Sequence, residues 1–276
     1  MTARDPRDKP EDNRFGPNKR EGVRRPLPTP HRGERVAKVI ANSGYCSRRE
    51  AEKLIAEGLV KVNGVVIETP ATIITDQSIK IKNKLLNRSE KVKMWIFHKP
   101  KGYMVTNSDP QGRKTIYEIL PNNLPRVITI GRLDMDTEGL LLLTNNGDVA
   151  RYIEHPTNAW TRQYRIKVHG SMDRLNANIE NVAKRGISVK GIKYAPVKIS
   201  LEKESNTTNT WLTISVTEGK NREIRNIMEY FGLRVLRLIR TSFGPFHLGN
   251  MTTGDIKPIP DRVIKNALGN RVERFN

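Results

Sequence analysis

Residues 131–155 read GRLDMDTEGLLLLTNNGDVARYIEH, and this stretch determines the expected fold of the larger part of the chain. It begins where a strand predicted at 127–131 ends, and it continues with a polar loop that carries two carboxylates. The LLLLT run at 140–144 is typical of a buried strand, and Gly147 and Asp148 open a short predicted helix. A polar loop between two strands is a common position for functional side chains.

The segments around that stretch alternate between strand-like and helix-like patterns. Strands are predicted at 95–100, 163–170, 193–202 and 210–219, and helices at 173–186 and 221–232. The strands follow no regular strand–helix–strand rhythm. We therefore expect an α+β domain at 94–256, with a mixed, largely antiparallel sheet and flanking helices.

A smaller unit is predicted at 34–82. Apolar residues recur there at helical spacing, and Ser47 with Glu50 forms the pattern of a capping box at the start of a second helix. The LVKVNGVVI run at 59–67 predicts a hairpin, because Asn-Gly favours the positive backbone angles of a tight turn. The expected order is helix, helix, hairpin.

Three basic residues lie off the apolar stripe of the second helix. Arg48, Arg49 and Lys53 are therefore free to contact phosphates, although a charged face in contact with solvent gives the same spacing.

Composition narrows the class of partner. The chain holds 49 Lys and Arg against 29 Asp and Glu, a net charge of +20, and its pI is about 10.2. Such a surplus attracts polyanions, so nucleic acid is the first candidate and an anionic membrane surface the second. No apolar run approaches the roughly 18 residues of a membrane span, so no membrane partner is expected.

Cysteine and histidine usage argues against disulfides and metal sites. The single Cys46 excludes an internal disulfide and suits a reducing compartment, and the N-terminus has no pattern of a signal peptide. The five histidines do not fall at metal-ligand spacing. We expect a cytoplasmic protein without a metal.

Three segments are predicted to lie outside the compact units. Residues 1–33 are rich in charge and proline and are expected to form a disordered basic tail, either a linker or an electrostatic arm for RNA. Residues 83–93 are predicted to be a linker. The region 257–276, which contains Pro258 and Pro260, is expected to be a loosely ordered basic tail.

The loop chemistry stays open when only residue types are considered. Asp134 and Asp136 fit a general acid/base pair, a metal pair or simple turn formation. No histidine stands nearby to complete a metal site, which makes the metal pair the weakest alternative.

Longer motifs resemble a known enzyme family. The segment at 131–156 resembles the active-site segment of bacterial rRNA pseudouridine synthases of the RsuA/RluB type, and the segments at 97–109, 162–168 and 218–245 agree in order. The segment at 41–67 resembles the RNA-binding domain of ribosomal protein S4. The resemblance covers nearly everything from residue 34 to about 254.

The resemblance implies the roles of three residues. Asp134 would be the catalytic aspartate, which either adds to the electron-poor sugar carbon or removes a sugar proton. Tyr164 would stack on the extruded uracil or assist proton transfer, and Arg225 would pair with the catalytic carboxylate. No cofactor is implied. Asp136 receives no role.

Other residues are expected to contact the substrate. A basic patch at 220–240, with Arg234, Arg237 and Arg240, is predicted to follow RNA phosphates. Expected substrate-binding residues are Arg132, Ile224, Lys99, Lys101, Lys220 and Arg222, and expected RNA-binding residues are Arg48, Arg49 and Lys53.

The implied partner is ribosomal RNA. The EGKNREIRN segment resembles large-subunit members of the family, which favours 23S rRNA or a large-subunit assembly intermediate over 16S rRNA, with the protein acting as a monomer. Two other functions stay open: a non-catalytic rRNA-binding or ribosome-assembly factor, and an RNA glycosidase that releases uracil.

Overall fold

The computed structural model describes residues 33–87, 91–202 and 208–275. It contains a small N-terminal unit and a larger unit built on a mixed, mainly antiparallel sheet, which confirms the expected α+β class. The predicted tail at 1–33 lies outside the described residues, apart from Gly33. None of the helices in the described ranges combines the length and apolarity needed to cross a bilayer.

The N-terminal unit packs two helices against short strands. Its elements are β1 Glu34–Arg35, α1 Val36–Asn42, α2 Arg48–Ala56, β2 Val60–Val62, β3 Val65–Val66, β4 Ile73–Ile74, β5 Ile79–Ile81 and β6 Lys84–Leu85. Ser47 and Glu50 form the predicted capping box at the start of α2. Asn63 and Gly64 both have positive φ in the turn between β2 and β3. The buried faces of the helices and strands share one apolar core.

The predicted linker begins too early. Strand β6 pairs with β5, and Leu86 is buried in the core of the N-terminal unit, so residues 84–86 belong to that unit. The sequence pattern missed this strand because it is two residues long and surrounded by charges.

The larger unit supplies the main sheet. Its strands are β7 Met94–Lys99, β8 Ile128–Ile130, β9 Glu138–Thr144, β10 Arg162–His169, β11 Ile187–Val189, β12 Ile192–Tyr194, β13 Lys198–Glu202, β14 Asn209–Val216, β15 Arg234–Phe243, β16 Phe246–His247 and β17 Ile256–Pro258. Its helices are α3 Gly147–Glu154, α4 Asp173–Asn176, α5 Ile179–Arg185, α6 Glu223–Tyr230, α7 Asp261–Leu268 and α8 Val272–Phe275, with short 3-10 turns at Ile116–Glu118, Pro156–Asn158 and Gly269–Arg271.

The main sheet has the order β13-β14-β10-β15-β9-β7-β17, with β8 added on β9 and β16 on β15. Its described pairings are antiparallel except for β9 with β15, which run parallel in the middle of the sheet. Gly139 makes this contact possible: its φ is +103°, and a Cβ atom there would lie 2.3 Å from the carbonyl oxygen of Arg240. The close approach brings the start of β9 beside β15, and through β15 beside β10.

Three apolar clusters fill the larger unit. One packs α3 and α7 against β7 and β9, a second packs α6 against β10 and β14, and a third lies under the segment before β9. The side chain of Tyr164 joins the second and third clusters. The second cluster fixes α6 over the end of the sheet that faces the polar loop.

Several sequence-based boundaries are corrected by the structure. The single helix predicted at 173–186 is two helices, and the strand predicted at 193–202 is divided between the β11–β12 hairpin and the main sheet. The loosely ordered tail predicted at 257–276 is wrong. Helix α7 buries Ile264 and Leu268 in the first cluster, and α8 adds Val272 to it.

Polar contacts join the two units. Lys38 Nζ lies 2.6 Å from Asp148 Oδ2 at the start of α3. The backbone N–H of Gly147 donates to Asn42 Oδ1 at 3.4 Å, and Arg126 Nη1 donates to the carbonyl oxygen of Ala41 at 3.5 Å. The end of α1 therefore contacts the segment that follows β9.

Candidate active site

The two carboxylates lie on a tight loop between β8 and β9. Leu133 is buried beneath the loop, and Asp134 and Asp136 on either side of Met135 are partly exposed. The backbone N–H of Thr137 donates to the carbonyl oxygen of Asp134 at 3.0 Å, which closes a turn. The buried leucine anchors the loop, while the carboxylates remain accessible.

Lys99 holds this loop from below. Its side chain is completely buried, and Nζ donates to the carbonyl oxygens of Pro100 at 3.0 Å, Asp134 at 3.1 Å, Met135 at 3.3 Å and Thr137 at 2.9 Å. Burial lowers the pKa of Lys99 to about 8. The expected role of Lys99 as a substrate contact is therefore wrong, because no RNA phosphate reaches a completely buried ammonium group.

Helix α6 brings Arg225 to the loop, and its partner differs from the expected one. Arg225 Nη2 lies 3.0 Å from Asp136 Oδ2 and donates to the carbonyl oxygen of Asp136 at 3.1 Å. The expected direct pairing with Asp134 is absent. Among the described residues, Arg222 is the cation within 4.0 Å of Asp134, through Nη1 and Oδ2.

A cavity of about 1080 Å³ opens beside the loop. Asp134, Tyr164 and Ile224 line it together: Tyr164 is half-buried on β10, and Ile224 is buried at the start of α6. The other expected residues in its wall are Arg132, Lys220, Arg222, Arg225 and Arg240. Tyr164, Ile224 and Asp134 thus offer an aromatic, an aliphatic and an anionic side chain to a molecule in the cavity.

The remaining expected residues lie elsewhere. Lys101 is exposed in the turn after β7 and does not line the cavity. Arg48, Arg49 and Lys53 are exposed on α2 of the N-terminal unit. They form a separate basic surface.

The predicted patch at 220–240 is only partly available to RNA. Arg240 is 2% exposed, and its Nε donates to the carbonyl oxygen of Leu140 at 2.7 Å. Arg237 is exposed, but its Nη2 lies 2.9 Å from Glu138 Oε2. Strand β15 therefore uses two of its arginines, Arg237 and Arg240, to bind β9.

Arg162 and Glu223 are among the residues of the cavity wall that the sequence analysis missed. Arg162 lies two residues before Tyr164, so strand alternation places both on the same face and would have identified it. Its guanidinium stacks 4.5 Å from the Phe243 ring centroid. Glu223 is 4% exposed, and no local pattern distinguishes it from a solvated helix residue.

The described residues contain no group of three or more His, Cys, Asp or Glu side chains able to hold a metal ion. The chemistry available to the chain's own groups at this site is that of a carboxylate. A carboxylate can act as a nucleophile or as a base toward a molecule bound in the cavity.

Comparisons with family models, curated relatives and solved structures all match this chain to pseudouridine synthases. A model of the RNA pseudouridylate synthase family matches residues 93–230, and a model of the S4 domain matches residues 34–78. An RNA pseudouridine synthase of Rickettsia felis is 46% identical over 234 residues, which cover 84% of this chain and 99% of that protein. The ribosomal large subunit pseudouridine synthase B of Bacillus subtilis is 37% identical over 236 residues, covering 84% and 94%. A crystal structure of a pseudouridylate synthase superposes with a TM-score of 0.57 at 25% identity, covering 84% of this chain and 98% of the other.

Proposed function

This chain belongs to the RNA pseudouridylate synthase family, and we propose that it isomerises a uridine of ribosomal RNA to pseudouridine, with Asp134 as the catalytic carboxylate. Membership confirms the resemblance predicted from the sequence. The observation that carries the assignment of the residue is the position of Asp134 at the mouth of a cavity that Tyr164 and Ile224 also line.

The geometry supports a sequence of events at this cavity. The target uridine leaves its stack, because the bond between uracil N1 and ribose C1′ is unreachable inside a helix. The uracil ring lies against Tyr164 and Ile224, and the ribose faces Asp134. The carboxylate then either adds to C1′ or removes a sugar proton, and both routes need an ionised aspartate held in a fixed direction.

Two interactions supply that fixed direction. Lys99 binds the carbonyl oxygens of Asp134, Met135 and Thr137, which fixes the backbone under the carboxylate. Arg225 fixes the next carboxylate, Asp136, through both its side chain and its backbone. Asp134 itself makes no short ion pair among the described residues, so it is available to the ribose.

We propose 23S rRNA, free or in a large-subunit assembly intermediate, as the substrate of a monomeric cytoplasmic enzyme. The relatives from Bacillus subtilis and Yersinia pestis are named as ribosomal large subunit synthases, at 37% and 34% identity. The exposed Arg48, Arg49 and Lys53 on α2 support an RNA-binding role for the N-terminal unit. Mapping pseudouridines in both rRNAs, with and without the gene, distinguishes 23S from 16S.

The substitution Asp134→Asn tests the catalytic assignment. It keeps the size of the side chain but removes the charge that either mechanism needs. We expect it to abolish tritium release from rRNA labelled at uracil C5, while RNA affinity stays within about tenfold, roughly 1.4 kcal/mol. Asp136→Asn is the matched comparison and should retain measurable turnover, because its backbone oxygen still accepts from Arg225.

Three outcomes would contradict this proposal. Wild-type release by the Asp134→Asn protein would remove Asp134 from the mechanism. Free uracil and an abasic site as products would indicate a glycosidase. A folded wild-type protein that binds rRNA but releases no tritium from either rRNA would indicate a binding or assembly factor.

A further inference from the structure

Arg222 has an unusual backbone at the edge of the active site. It precedes α6 with φ 50° and ψ 26°, the left-handed region that non-glycine residues seldom occupy. Its side chain makes no capping hydrogen bond to the helix, so helix capping does not explain the conformation. Strained backbone of this kind persists where the surroundings enforce it, and it clusters at functional sites.

The guanidinium group of Arg222 lies near the two carboxylates of the loop. Arg222 Nη1 lies 3.8 Å from Asp136 Oδ1 and 4.0 Å from Asp134 Oδ2. Hydrogen-bonded ion pairs of this type are shorter, about 2.7–2.9 Å. The Arg222 side chain is 50% exposed, whereas that of Arg225, at 3.0 Å from Asp136, is 14% exposed. Arg225 is therefore fixed, and Arg222 is loosely held.

We propose that Arg222 is a positioning residue that exchanges partners: it is a shared counter-ion of Asp136 and Asp134 in the free protein and binds an RNA phosphodiester beside the extruded uridine in the complex. This inference rests on the proposed function. A phosphodiester accepts two parallel hydrogen bonds from a guanidinium, which the long contacts to the carboxylates do not provide. The exchange leaves Asp134 free to face the ribose when the nucleotide is in place.

Two substitutions of Arg222 separate the effect of its charge from the effect of its strained backbone. Asn tolerates this conformation better than other non-glycine residues, so Arg222→Asn removes the charge and relieves strain. Arg222→Lys keeps the charge and the strain. Lys190 offers a matched control, because it has φ 49°, is exposed, lies outside the cavity and pairs with Glu229 only at 3.4 Å.

We expect Arg222→Asn to make the protein more stable but to weaken its binding of RNA. The melting temperature of the full chain should rise by about 2–4 °C as strain is relieved. The slope of log affinity against log salt for a 23S rRNA transcript should fall by about one. In single-turnover tritium release, the RNA concentration for half-maximal rate should rise about tenfold, with a smaller change in the maximal rate.

The comparison variants identify the cause. Arg222→Lys should restore the salt slope without raising the melting temperature, and Lys190→Asn should raise the melting temperature without changing the slope. A lower melting temperature with an unchanged salt slope in Arg222→Asn would show a purely structural role and overturn the inference. The slope and the melting temperature need no turnover, so an inactive wild-type protein would refute the proposed function while these two measurements still decide the role of Arg222.

Discussion

Lys99 lies on β7, but its buried ammonium group binds the backbone of the loop that carries Asp134. Its ammonium group has three hydrogens, and four carbonyl oxygens lie within 3.3 Å of Nζ. Three of those oxygens belong to the loop that carries Asp134. Without the ammonium group, their dipoles would converge on an empty buried space. The direction of the Asp134 side chain therefore depends on a residue 35 positions earlier in the chain.

We predict that Lys99→Met uncouples folding from turnover. Methionine keeps most of the length and apolar volume of the side chain but leaves the carbonyl oxygens without a donor. The loss should lower the free energy of unfolding by about 1–3 kcal/mol. A loop displacement of about 1 Å should reduce single-turnover tritium release roughly 100-fold.

Urea unfolding and single-turnover assays measure the two effects of Lys99→Met. The control is Lys265→Met, which removes an exposed lysine from α7. Turnover at the wild-type rate, in a protein that is measurably destabilised, would show that the loop does not need Lys99 to place Asp134.

Single residues also show where prediction from the sequence stops. Motif order was sufficient to select Asp134 and Tyr164, which the structure places around one cavity. The order of motifs did not show which carboxylate Arg225 binds, because Asp134 and Asp136 lie two positions apart on one loop. It also treated Lys99 as an exposed charge, since the burial of a lysine depends on distant segments that a local pattern does not contain.

At the scale of elements, the turn before α6 contains a pair of acidic residues. Glu223 begins α6, and its Oε2 accepts from the backbone N–H of Lys220 at 3.2 Å. Glu218 in the preceding turn accepts from the N–H of Ala195 at 2.7 Å. Burial, and then the neighbouring carboxylate of Glu218, raise the pKa of Glu223 to about 7. The start of the helix is thus sensitive to pH near neutrality.

We predict that this pair makes stability fall as the pH rises. Between the ordinary value of 4.5 and about 7, the folded chain keeps a proton on Glu223 that the unfolded chain releases. The stabilisation is therefore complete below pH 4.5 and is lost as the pH passes 7. Glu223→Gln keeps the acceptor for the Lys220 N–H but does not titrate.

Chemical denaturation at several pH values measures the difference between wild type and Glu223→Gln. The variant should gain roughly 3 kcal/mol relative to wild type between pH 4.5 and 7.5. Glu229→Gln, on the exposed side of the same helix, should give no such trend. Parallel pH curves for wild type and Glu223→Gln would contradict the prediction.

The elements that the sequence predicted well are those with regular apolar spacing. Helices α2 and α6 and the first hairpin have such patterns, and each lies close to its expected position. Strand β15 was not predicted, because its arginines interrupt the alternation, although Arg240 is buried where β9 approaches. The C-terminal helix was missed because two prolines suggested a tail, whereas Pro260 immediately precedes α7 and is compatible with a helix start.

At the scale of the whole molecule, the two units have separate cores. The apolar cluster of the N-terminal unit ends at Leu86, and the clusters of the larger unit begin at Val92. The described contacts between them include an ion pair at 2.6 Å and two hydrogen bonds between a side chain and the backbone, of 3.4 and 3.5 Å. Apolar burial therefore stabilises each unit by itself, and the loop that carries Asp134 lies wholly in the larger one.

We predict that removing residues 1–87 leaves the larger unit folded but weakens rRNA binding. Cooperative thermal unfolding should persist, because no cluster of the larger unit loses a member. The boundary follows Leu86, since a cut at residue 82 would leave part of the N-terminal core behind. Non-cooperative unfolding of the truncated protein would show that the polar contacts between the units are indispensable.

The truncation also removes the basic residues that precede the N-terminal unit, so a substitution variant must identify the binding surface. We predict that replacing Arg48, Arg49 and Lys53 by alanine in the full chain lowers the slope of log affinity against log salt by up to about two to three, because each lost phosphate contact contributes about 0.7–0.9. Unfolding should be unchanged, since all three side chains are exposed on α2. Replacing Arg262 and Lys265 on α7 by alanine removes exposed charge from the other unit and should leave the slope nearly constant. An unchanged slope in the triple variant, beside a reduced slope in the truncated protein, would place the RNA contact in the preceding segment instead of on α2.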